Sequence, residues 1–300
     1  MSYIKHYSLE REPFSNAPDA RFYYNSERHS QALLRLMYAV DSNKGLAVLV
    51  GGVGTGKTTL ARRMLDSLPE QKYESSMLVM VHSGITPEWI MTRIALQLGV
   101  ANPASDRLTV LKQLYDRLLQ IEEAGRRAVV LIDEAQMLQS RELMEEFRGL
   151  LNLEIPGKKL LNIVFFGLSE LEECLKLDEP LAQRVAVKCH LKSLTIDITA
   201  SYIKHRLQVA GAKRMLFAGD SIGLIHGYTG GVPRLINTVC DNCLFEGALR
   251  KQATVDASIV HRVAGDLGLL RQDSAAPGEG DSTTELDEIE HMLDRLEQKF

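Results

Sequence analysis

The stretch "GGVGTGKTT" at residues 51–59 constrains the fold more than any other part of the chain. It matches the pattern G-x-x-x-x-G-K-[ST], follows the apolar run "GLAVLV" and leads into "LARRML". This order predicts a strand, a phosphate-binding loop and a helix, because glycines let successive backbone N–H groups point into one concavity at a helix N-terminus. The loop residues that we expect to contact a nucleotide are Gly52, Val53, Gly54, Thr55, Gly56, Lys57, Thr58 and Thr59.

Four side chains are candidates for phosphate chemistry. Lys57 is expected to contact the β- and γ-phosphates as a catalytic residue, and the Thr58 hydroxyl to bind Mg²⁺. The segment "AVVLIDEAQ" (128–136) places Asp133 and Glu134 at the end of a predicted buried strand, where open α/β sheets bind ligands. We expect Asp133 to hold Mg²⁺ and Glu134 to polarise the attacking water. A glutamate at this position favours turnover over passive nucleotide binding.

Strand-like and helical segments alternate between residues 26 and 191, which predicts an α/β fold. The apolar segments at 46–50, 77–81, 128–132, 161–166 and 185–191 are interpreted as five strands. Their β-branched and aromatic residues fall on both faces, which is typical of a parallel sheet covered on both sides by helices. We therefore expect an α/β nucleotide-binding domain over residues 1–194.

The strand signals stop after Leu194, and the remainder divides into three parts. Helical patterns follow in sequence, so residues 195–268 are predicted to form a small all-helical domain. Residues 269–284 are interpreted as a flexible linker because they are rich in small and polar residues. Residues 285–300 place apolar side chains three and four positions apart, which predicts an acidic amphipathic helix that docks a protein partner.

Composition and charge exclude several classes of protein. No apolar run approaches the ~20 residues that a membrane-spanning helix needs, and the first residues lack a signal-peptide core. Four cysteines in 300 residues do not suggest a disulfide framework, so we expect a cytoplasmic protein. Residues 273–300 contain nine acids and two bases, a balance of −7 that leaves the preceding residues at +3. This small excess argues against nucleic-acid binding as the main role.

Three arginines could stabilise charge during phosphoryl transfer. Arg184, in "PLAQRVAVKCHL", lies just before the last predicted strand, where it could project across a subunit boundary. Arg148, in "FRGLLNLE", is a weaker candidate for the same role. Arg234, in "GYTGGVPRLIN", begins a helix of the second domain and could contact the γ-phosphate from above.

Ordered sequence blocks resemble the AAA+ ATPases, and among them the ExeA-like group of general secretion pathway protein A. This group is related to the pilus ATPase MshM and to transposition ATPases of the TniB/TnsC type. The blocks, from about Tyr3 to Ala264, include "PFSNAPDARFYYNSERHSQAL", "GGVGTGKTTLARRML", "VVLIDEAQML", "LAQRVAVKCHLKSLT" and "YTGGVPRLINTVCDNCL".

The resemblance implies ATP, Mg²⁺, a helical lid and a ring, expected to be hexameric. It also implies that Arg184 is an arginine finger acting in trans and that Arg234 is a nucleotide sensor on the lid. The segment from Phe22 to His29 would lie near the adenine.

The chain departs from the family pattern at two places. The family usually writes "GQPEL" after the fourth strand, whereas this chain has "GLSEL", with Leu168 where a polar sensor would stand. Leucine cannot hydrogen-bond a phosphate, so Ser169 substitutes for it or hydrolysis is slow. The larger secretion members also carry a transmembrane segment and a periplasmic domain, and we expect neither in this sequence. Any role at the envelope is therefore expected at the inner face of the membrane, by peripheral association with a membrane complex.

Three functions remain open on these residues. The first is an ATPase that drives or regulates a cell-envelope system for secretion, pilus assembly or polysaccharide export. The second is a DNA-linked regulator of the transposition type, with Lys158 and Lys159 or "AKRM" (212–215) as candidate DNA contacts. The third is a nucleotide-gated scaffold with weak hydrolysis.

Overall fold

The computed structural model describes residues 2–17, 19–81 and 84–270. Within them, the strands are β1 (Leu46–Gly51), β2 (Tyr73–Val79), β3 (Arg127–Asp133), β4 (Glu154–Ile155), β5 (Lys158–Lys159), β6 (Leu161–Gly167) and β7 (Val185–Leu191). Five of these strands form a sheet in the order β2-β3-β6-β1-β7, and every neighbouring pair is parallel. The expected fold class, an α/β fold with a five-stranded parallel sheet, is therefore confirmed.

Helices connect these strands and continue beyond them. The helices that precede or connect the strands are α1 (Tyr3–His6), α2 (Glu27–Asp41), α3 (Lys57–Asp66), α4 (Pro87–Gln97), α5 (Arg107–Glu123), α6 (Arg141–Leu150), α7 (Leu171–Lys176) and α8 (Glu179–Ala182). Two short 3₁₀ helices occupy Ala20–Phe22 and Ala135–Met137. The helices after the sheet are α9 (Ile196–Val209), α10 (Gly219–Thr229), α11 (Pro233–Leu249) and α12 (Ala257–Asp266).

The sheet is buried between two layers of helices. One apolar cluster joins β1, β3 and β6 to α4, α5 and α6, and a second joins the opposite face to α2 and α3. Val48 and Leu49 of β1 are adjacent in sequence and belong to different clusters, as the alternation of side chains along a strand requires. The central strands are apolar on both faces for this reason, which is why their positions could be predicted.

The start of β2 differs from the sequence-based prediction. The prediction placed this strand at 77–81, whereas the strand begins at Tyr73 and ends at Val79. β2 is at the edge of the sheet, so Glu74 and Ser75, which follow the buried Tyr73, are only partly buried and carry polar side chains. Glu74, for example, forms ion pairs with Arg117 and Arg126. The β4–β5 hairpin was also not predicted, because its strands are only two residues long.

The cap of α4 follows the sequence signal closely. The Thr86 side chain accepts a hydrogen bond from the Trp89 backbone N–H, and Pro87 occupies the first helical position. The threonine N-cap satisfies one N–H of the first turn. Proline suits the next position because it has no backbone N–H that would need a partner there.

The N-terminal segment packs with α9 to α12, which we call the helical unit, rather than with the sheet. Tyr3, Tyr7, Phe14 and Phe22 belong to the same apolar cluster as α9, α11 and α12. Arg206 of α9 is buried and donates hydrogen bonds to the carbonyls of Pro13 and Ser15, 2.5 and 3.0 Å away. The division of the chain at residue 194 therefore does not describe the packing of its first residues, because a segment distant in sequence completes the helical core.

The predicted linker at 269–284 and the predicted helix at 285–300 lie almost entirely outside the described residues, which end at Leu270. Within the described part of the chain, no helix is long and apolar enough to cross a membrane.

Candidate functional site

The glycine-rich loop joins the end of β1 to the start of α3. Gly54 and Gly56 adopt positive φ values of 75° and 103°, which side chains rarely tolerate. A Cβ at Gly54 would lie 2.8 Å from the Cβ of Arg234, and one at Gly56 would lie 3.1 Å from the Nε2 of His29. The loop therefore needs glycine at both positions for its conformation and for the close approach of two other elements.

Lys57 is the first residue of α3 and its side chain is 6% exposed. Its Nζ donates hydrogen bonds to the carbonyls of Gly51 and Gly52, both at 2.9 Å. Burial lowers the pKa of the Lys57 ammonium, and the nearby Glu134 and Asp133 carboxylates oppose this shift. The ammonium is thus held inside the loop, close to both carboxylates.

Asp133 ends β3 at the same edge of the sheet as the glycine loop. The residue is 1% exposed, and neither carboxylate oxygen has a hydrogen-bond partner among the described residues. Burial raises the pKa of Asp133, although the Thr58 hydroxyl and the Glu134 backbone N–H are close enough to act in the opposite direction. Unpaired buried carboxylate oxygens beside a hydroxyl form the hard-oxygen donor set that Mg²⁺ prefers. Asp133 and Thr58 therefore fit this metal.

Glu134 follows directly and has an unusual backbone conformation. Its φ and ψ angles are 55° and 36°, in the left-handed region. Such a conformation costs a non-glycine residue about 1–3 kcal/mol and persists where the surroundings enforce it. The Gln136 Nε2 donates a hydrogen bond to the Glu134 Oε2 at 2.6 Å. Sequence reasoning did not single out Gln136, because its contacts depend on the end of another strand.

Leu168 and Ser169 follow β6 at the same edge of the sheet. The Leu168 backbone N–H donates a hydrogen bond to the Gln136 Oε1 at 3.0 Å. The Ser169 hydroxyl donates to the Glu170 carboxylate at 3.2 Å. The polar contact at this strand end is therefore made by the Leu168 backbone, while the Ser169 hydroxyl faces its neighbour Glu170.

The helical unit contacts the glycine loop through the start of α11. The Arg234 backbone N–H donates to the Gly54 carbonyl at 3.3 Å, and the Val232 side chain lies against the same glycine. The Arg234 charge also acts to lower the pKa of Lys57. Arg234 is therefore brought to the loop.

His29 lies beneath the loop and was expected only in the general vicinity of the base. Its Nδ1 is 2.7 Å from the Ser26 hydroxyl, and burial lowers the pKa of its imidazole while the Thr55 backbone opposes that shift. Ser26 also caps α2 by accepting from the His29 N–H. The serine cap could be predicted from sequence, but the contact of His29 with the loop required the packing of α2 beside β1.

Arg184 and Arg148 lie at the opposite end of the sheet. Val185 of β7 pairs with Leu46, whereas Leu191 pairs with Gly51 at the start of the loop. About six residues of strand, at roughly 3.3 Å each, therefore separate Arg184 from the loop by about 20 Å.

Both arginines have partners at that end of the sheet. The Arg184 Nη1 donates to the Asn152 Oδ1 at 2.6 Å and to the Arg148 carbonyl at 3.3 Å. The Arg148 Nε donates to the buried Asp178 carboxylate at 3.0 Å. The contact with Asp178 favours a structural role for the Arg148 side chain. The Arg184 guanidinium is oriented by Asn152 and by the Arg148 carbonyl.

Comparison with known proteins adds independent information. A family model described as an AAA domain matches residues 40–175. General secretion pathway protein A of Aeromonas hydrophila is 37% identical over 251 residues, which cover 83% of this chain and 45% of that protein. The chain thus spans less than half the length of this relative.

Two solved structures share the fold at low sequence identity. Cdc6p from Pyrobaculum aerophilum aligns with a TM-score of 0.66 and 16% identity, covering 86% of this chain and 71% of its own. The ADP form of the ORC2 protein of Aeropyrum pernix aligns with a TM-score of 0.64 and 15% identity, covering 86% and 72%.

Proposed function

Because this chain belongs to the AAA+ ATPases, in the group of general secretion pathway protein A, we propose that it binds ATP with Mg²⁺ and hydrolyses it. One observation carries the proposal. Lys57 follows the loop at the end of β1, and Asp133 ends β3, which β6 separates from β1 in the sheet. The charges of Asp133 and of the next residue, Glu134, are close enough to raise the pKa of Lys57 against the effect of burial. An ammonium, a metal-binding carboxylate and a second carboxylate in one place are the parts that phosphoryl transfer to water needs.

Each residue has a distinct role in this proposal. The N–H groups of Gly52 to Thr59 and the Lys57 ammonium bind the phosphates, and Glu134 accepts a proton from the attacking water. Thr58 and Asp133 hold Mg²⁺, which neutralises charge on the phosphate oxygens. Arg234 contributes positive charge from the helical unit, so that movement of this unit reports which nucleotide is bound.

Arg184 acts in the site of a neighbouring subunit. It is about 20 Å along the sheet from the loop of its own chain, by the strand rise of roughly 3.3 Å per residue, so it cannot reach its own phosphates. A guanidinium at a subunit surface can contact the next nucleotide when subunits associate head to tail, and such contacts close into rings. The proposed active form is therefore a ring, with six subunits as in the family pattern.

The direct test is ATP hydrolysis by the purified chain with Mg²⁺. Glu134→Gln is expected to lower kcat by about 10²-fold or more, the usual effect of losing a general base. It is expected to retain nucleotide binding, measured with a fluorescent ATP analogue. Glu142→Gln, which removes an exposed carboxylate eight positions later, is the matched control. Equal rates in the wild type and Glu134→Gln would refute the assignment.

We infer the biological process that ATP turnover serves from the relationship to the secretion protein. We propose that ATP turnover regulates or drives assembly of a cell-envelope complex, with residues 285–300 docking the partner at the inner face of the membrane. The curated relative is named for secretion, and the acidic, amphipathic sequence of 285–300 suits a docking segment. Deletion of 285–300 is expected to leave ATP hydrolysis intact and to abolish membrane-complex association in cells.

A second candidate function is DNA-dependent regulation. Lys204, Lys213 and Arg214 line one groove of the helical unit together with Met215, and three cations on one surface can contact phosphates. This candidate predicts that duplex DNA stimulates hydrolysis and that binding weakens steeply with salt. Turnover that stays near background with DNA and with envelope partners would instead favour a nucleotide-gated scaffold.

A further inference from the structure

The Gln136 side chain spans the ends of two neighbouring strands. Gln136 lies in the 3₁₀ helix that follows β3, and it is 7% exposed. Its Nε2 donates to the Glu134 Oε2 at 2.6 Å, and its Oε1 accepts from the Leu168 backbone N–H at 3.0 Å. Both ends of one amide are thus engaged, one at the carboxylate that follows β3 and the other at the backbone that follows β6.

Only one orientation of the amide satisfies both contacts. A backbone N–H can only donate and an ionised carboxylate can only accept, so the amide oxygen must face Leu168 and the amide nitrogen must face Glu134. A glutamate at position 136 would bring two carboxylates together, and a leucine would leave both neighbours unpaired. The bridge is therefore specific for an amide of this length.

The end of β6 has room for this amide. A Cβ on Gly167 would lie 3.1 Å from the Gln136 Oε1 and 2.9 Å from the Leu171 Cδ2, so the glycine leaves the space that the amide oxygen occupies. The Gln136 backbone is held as well, because its carbonyl lies 3.6 Å from the Cys174 Sγ of α7. Contacts therefore hold both the backbone and the side-chain amide of Gln136.

The bridge acts on a carboxylate whose charge influences Lys57, the lysine of the phosphate loop. The Glu134 charge is the largest electrostatic influence that raises the pKa of Lys57 against the effect of burial, so the carboxylate and the ammonium are close. The left-handed backbone of Glu134 gives it few ways to reach that position. A hydrogen bond to one carboxylate oxygen restricts the remaining side-chain rotation and leaves the other oxygen available to water.

We propose that Gln136 is a positioning residue for ATP hydrolysis, which fixes the Glu134 carboxylate relative to the end of β6 and to Lys57. The Leu168 backbone N–H is linked to Glu134 through the Gln136 amide. In this proposal, that link replaces the polar side chain that position 168 lacks. This inference rests on the proposed function, since it requires Glu134 to activate water.

The test compares Gln136→Leu with Gln139→Leu, the same substitution at an exposed position three residues later. Gln136→Leu is expected to lower kcat about 10- to 100-fold, because misplacing a catalytic group by about 1 Å costs as much as 10²-fold. KM and the affinity for a fluorescent ATP analogue are expected to stay within about twofold, since the side-chain hydrogen bonds of Gln136 in the described part of the chain go to Glu134 and Leu168 and not to the phosphate loop. Gln139→Leu is expected to match the wild type.

Two more variants separate positioning from folding. Gln136→Asn retains a polar amide but is one methylene too short to bridge both partners, so the fold is expected to persist while kcat falls as in Gln136→Leu. Gln136→Glu places a second carboxylate beside Glu134 and removes the amide N–H that holds it, so kcat is expected to fall as in Gln136→Leu.

Unchanged kcat in both Gln136→Leu and Gln136→Asn would overturn the inference. A loss of kcat in Gln136→Leu together with a wild-type rate in Gln136→Asn and Gln136→Glu would also overturn it, since that result indicates a packing defect. The proposed function fails separately, when Glu134→Gln hydrolyses ATP as fast as the wild type.

Discussion

The Arg234 backbone N–H and the Gly54 carbonyl are hydrogen-bonded at 3.3 Å, which joins the helical unit directly to the phosphate loop. Gly54 and Arg234 are 180 positions apart in the chain, yet a Cβ on Gly54 would lie 2.8 Å from the Arg234 Cβ. The loop conformation and the position of the helical unit therefore depend on each other. We therefore expect a displacement of the loop on phosphate binding to move α11.

Gly54→Ala tests this dependence. Gly54 combines a φ of 75° with the close contact to Arg234, so the substitution is expected to destabilise the nucleotide-free protein by about 2 kcal/mol. Urea denaturation measures the change. Gly52→Ala is the matched control, because a Cβ there meets only the Thr55 Cγ2 at an ordinary 3.7 Å. Equal destabilisation of the two variants would contradict the proposed contact between loop and helical unit.

Asp133 and Asp178 form a second matched pair, because both are buried aspartates with opposite hydrogen bonding. Asp178 accepts from the Arg148 Nε and the Leu181 N–H, whereas Asp133 has no partner among the described residues. Burying an unpaired ionised carboxylate costs more than burying a neutral amide, whereas weakening a hydrogen-bonded buried group costs about 1–3 kcal/mol. Asp133→Asn is therefore expected to stabilise the nucleotide-free protein, and Asp178→Asn to destabilise it.

Asp133 is expected to lower the stability of the nucleotide-free protein as the pH rises. Burial raises its pKa above the usual 3.8, so the folded state holds the proton more tightly than the unfolded state. The stabilising contribution is present below pH 3.8 and is lost as the pH rises through the raised pKa. At neutral pH only the cost remains, and Mg²⁺ with ATP offsets it. Thermal unfolding should show a smaller Mg-ATP stabilisation for Asp133→Asn than for the wild type, and an equal shift would contradict metal binding at Asp133.

His29 is expected to have the opposite effect on the pH dependence of stability. Burial lowers the pKa of its imidazole below the usual 6.5, so the unfolded state binds the proton more tightly. The stabilising contribution is present above pH 6.5 and is lost as the pH falls through the lowered pKa. Urea midpoints measured from pH 8 to pH 5 should fall more for the wild type than for His29→Gln. His261→Gln, which removes an exposed imidazole, is the control. An identical pH dependence in His29→Gln and the wild type would refute this role.

The phosphate loop and the central strands could be predicted because the residues that define each of them are consecutive in the sequence. Gly56, Lys57 and Thr58 are adjacent, and the strand that ends at Asp133 is apolar from Ala128 to Ile132. The start of β2 could not be predicted in the same way. An edge strand buries fewer side chains, so residues such as Ser75 and Glu74 are tolerated and the apolar pattern disappears.

The contacts that shape the site are not local, and sequence reasoning missed them for that reason. Gln136 acquires its role only because β3 and β6 are neighbours in the sheet, which places Leu168 beside it. His29 meets Gly56 because α2 packs against β1. Arg206, a buried cation in a predicted helix, gave no signal in sequence that it would bind the carbonyls of Pro13 and Ser15.

The most direct test of a shared active site mixes two inactive variants. Glu134→Gln lacks the base of its own site, and Arg184→Ala lacks the guanidinium that it would contribute to its neighbour. Each is expected to hydrolyse ATP poorly alone. In an equimolar mixture assembled before ATP is added, about one site in four combines an intact Glu134 with an intact neighbouring Arg184, as random head-to-tail association requires.

The account predicts that the mixture regains roughly that fraction of the wild-type rate, with the rate per subunit rising as protein concentration increases. A mixture as inactive as its two components would contradict a site completed by Arg184 of a neighbouring subunit. So would a wild-type rate for Arg184→Ala alone.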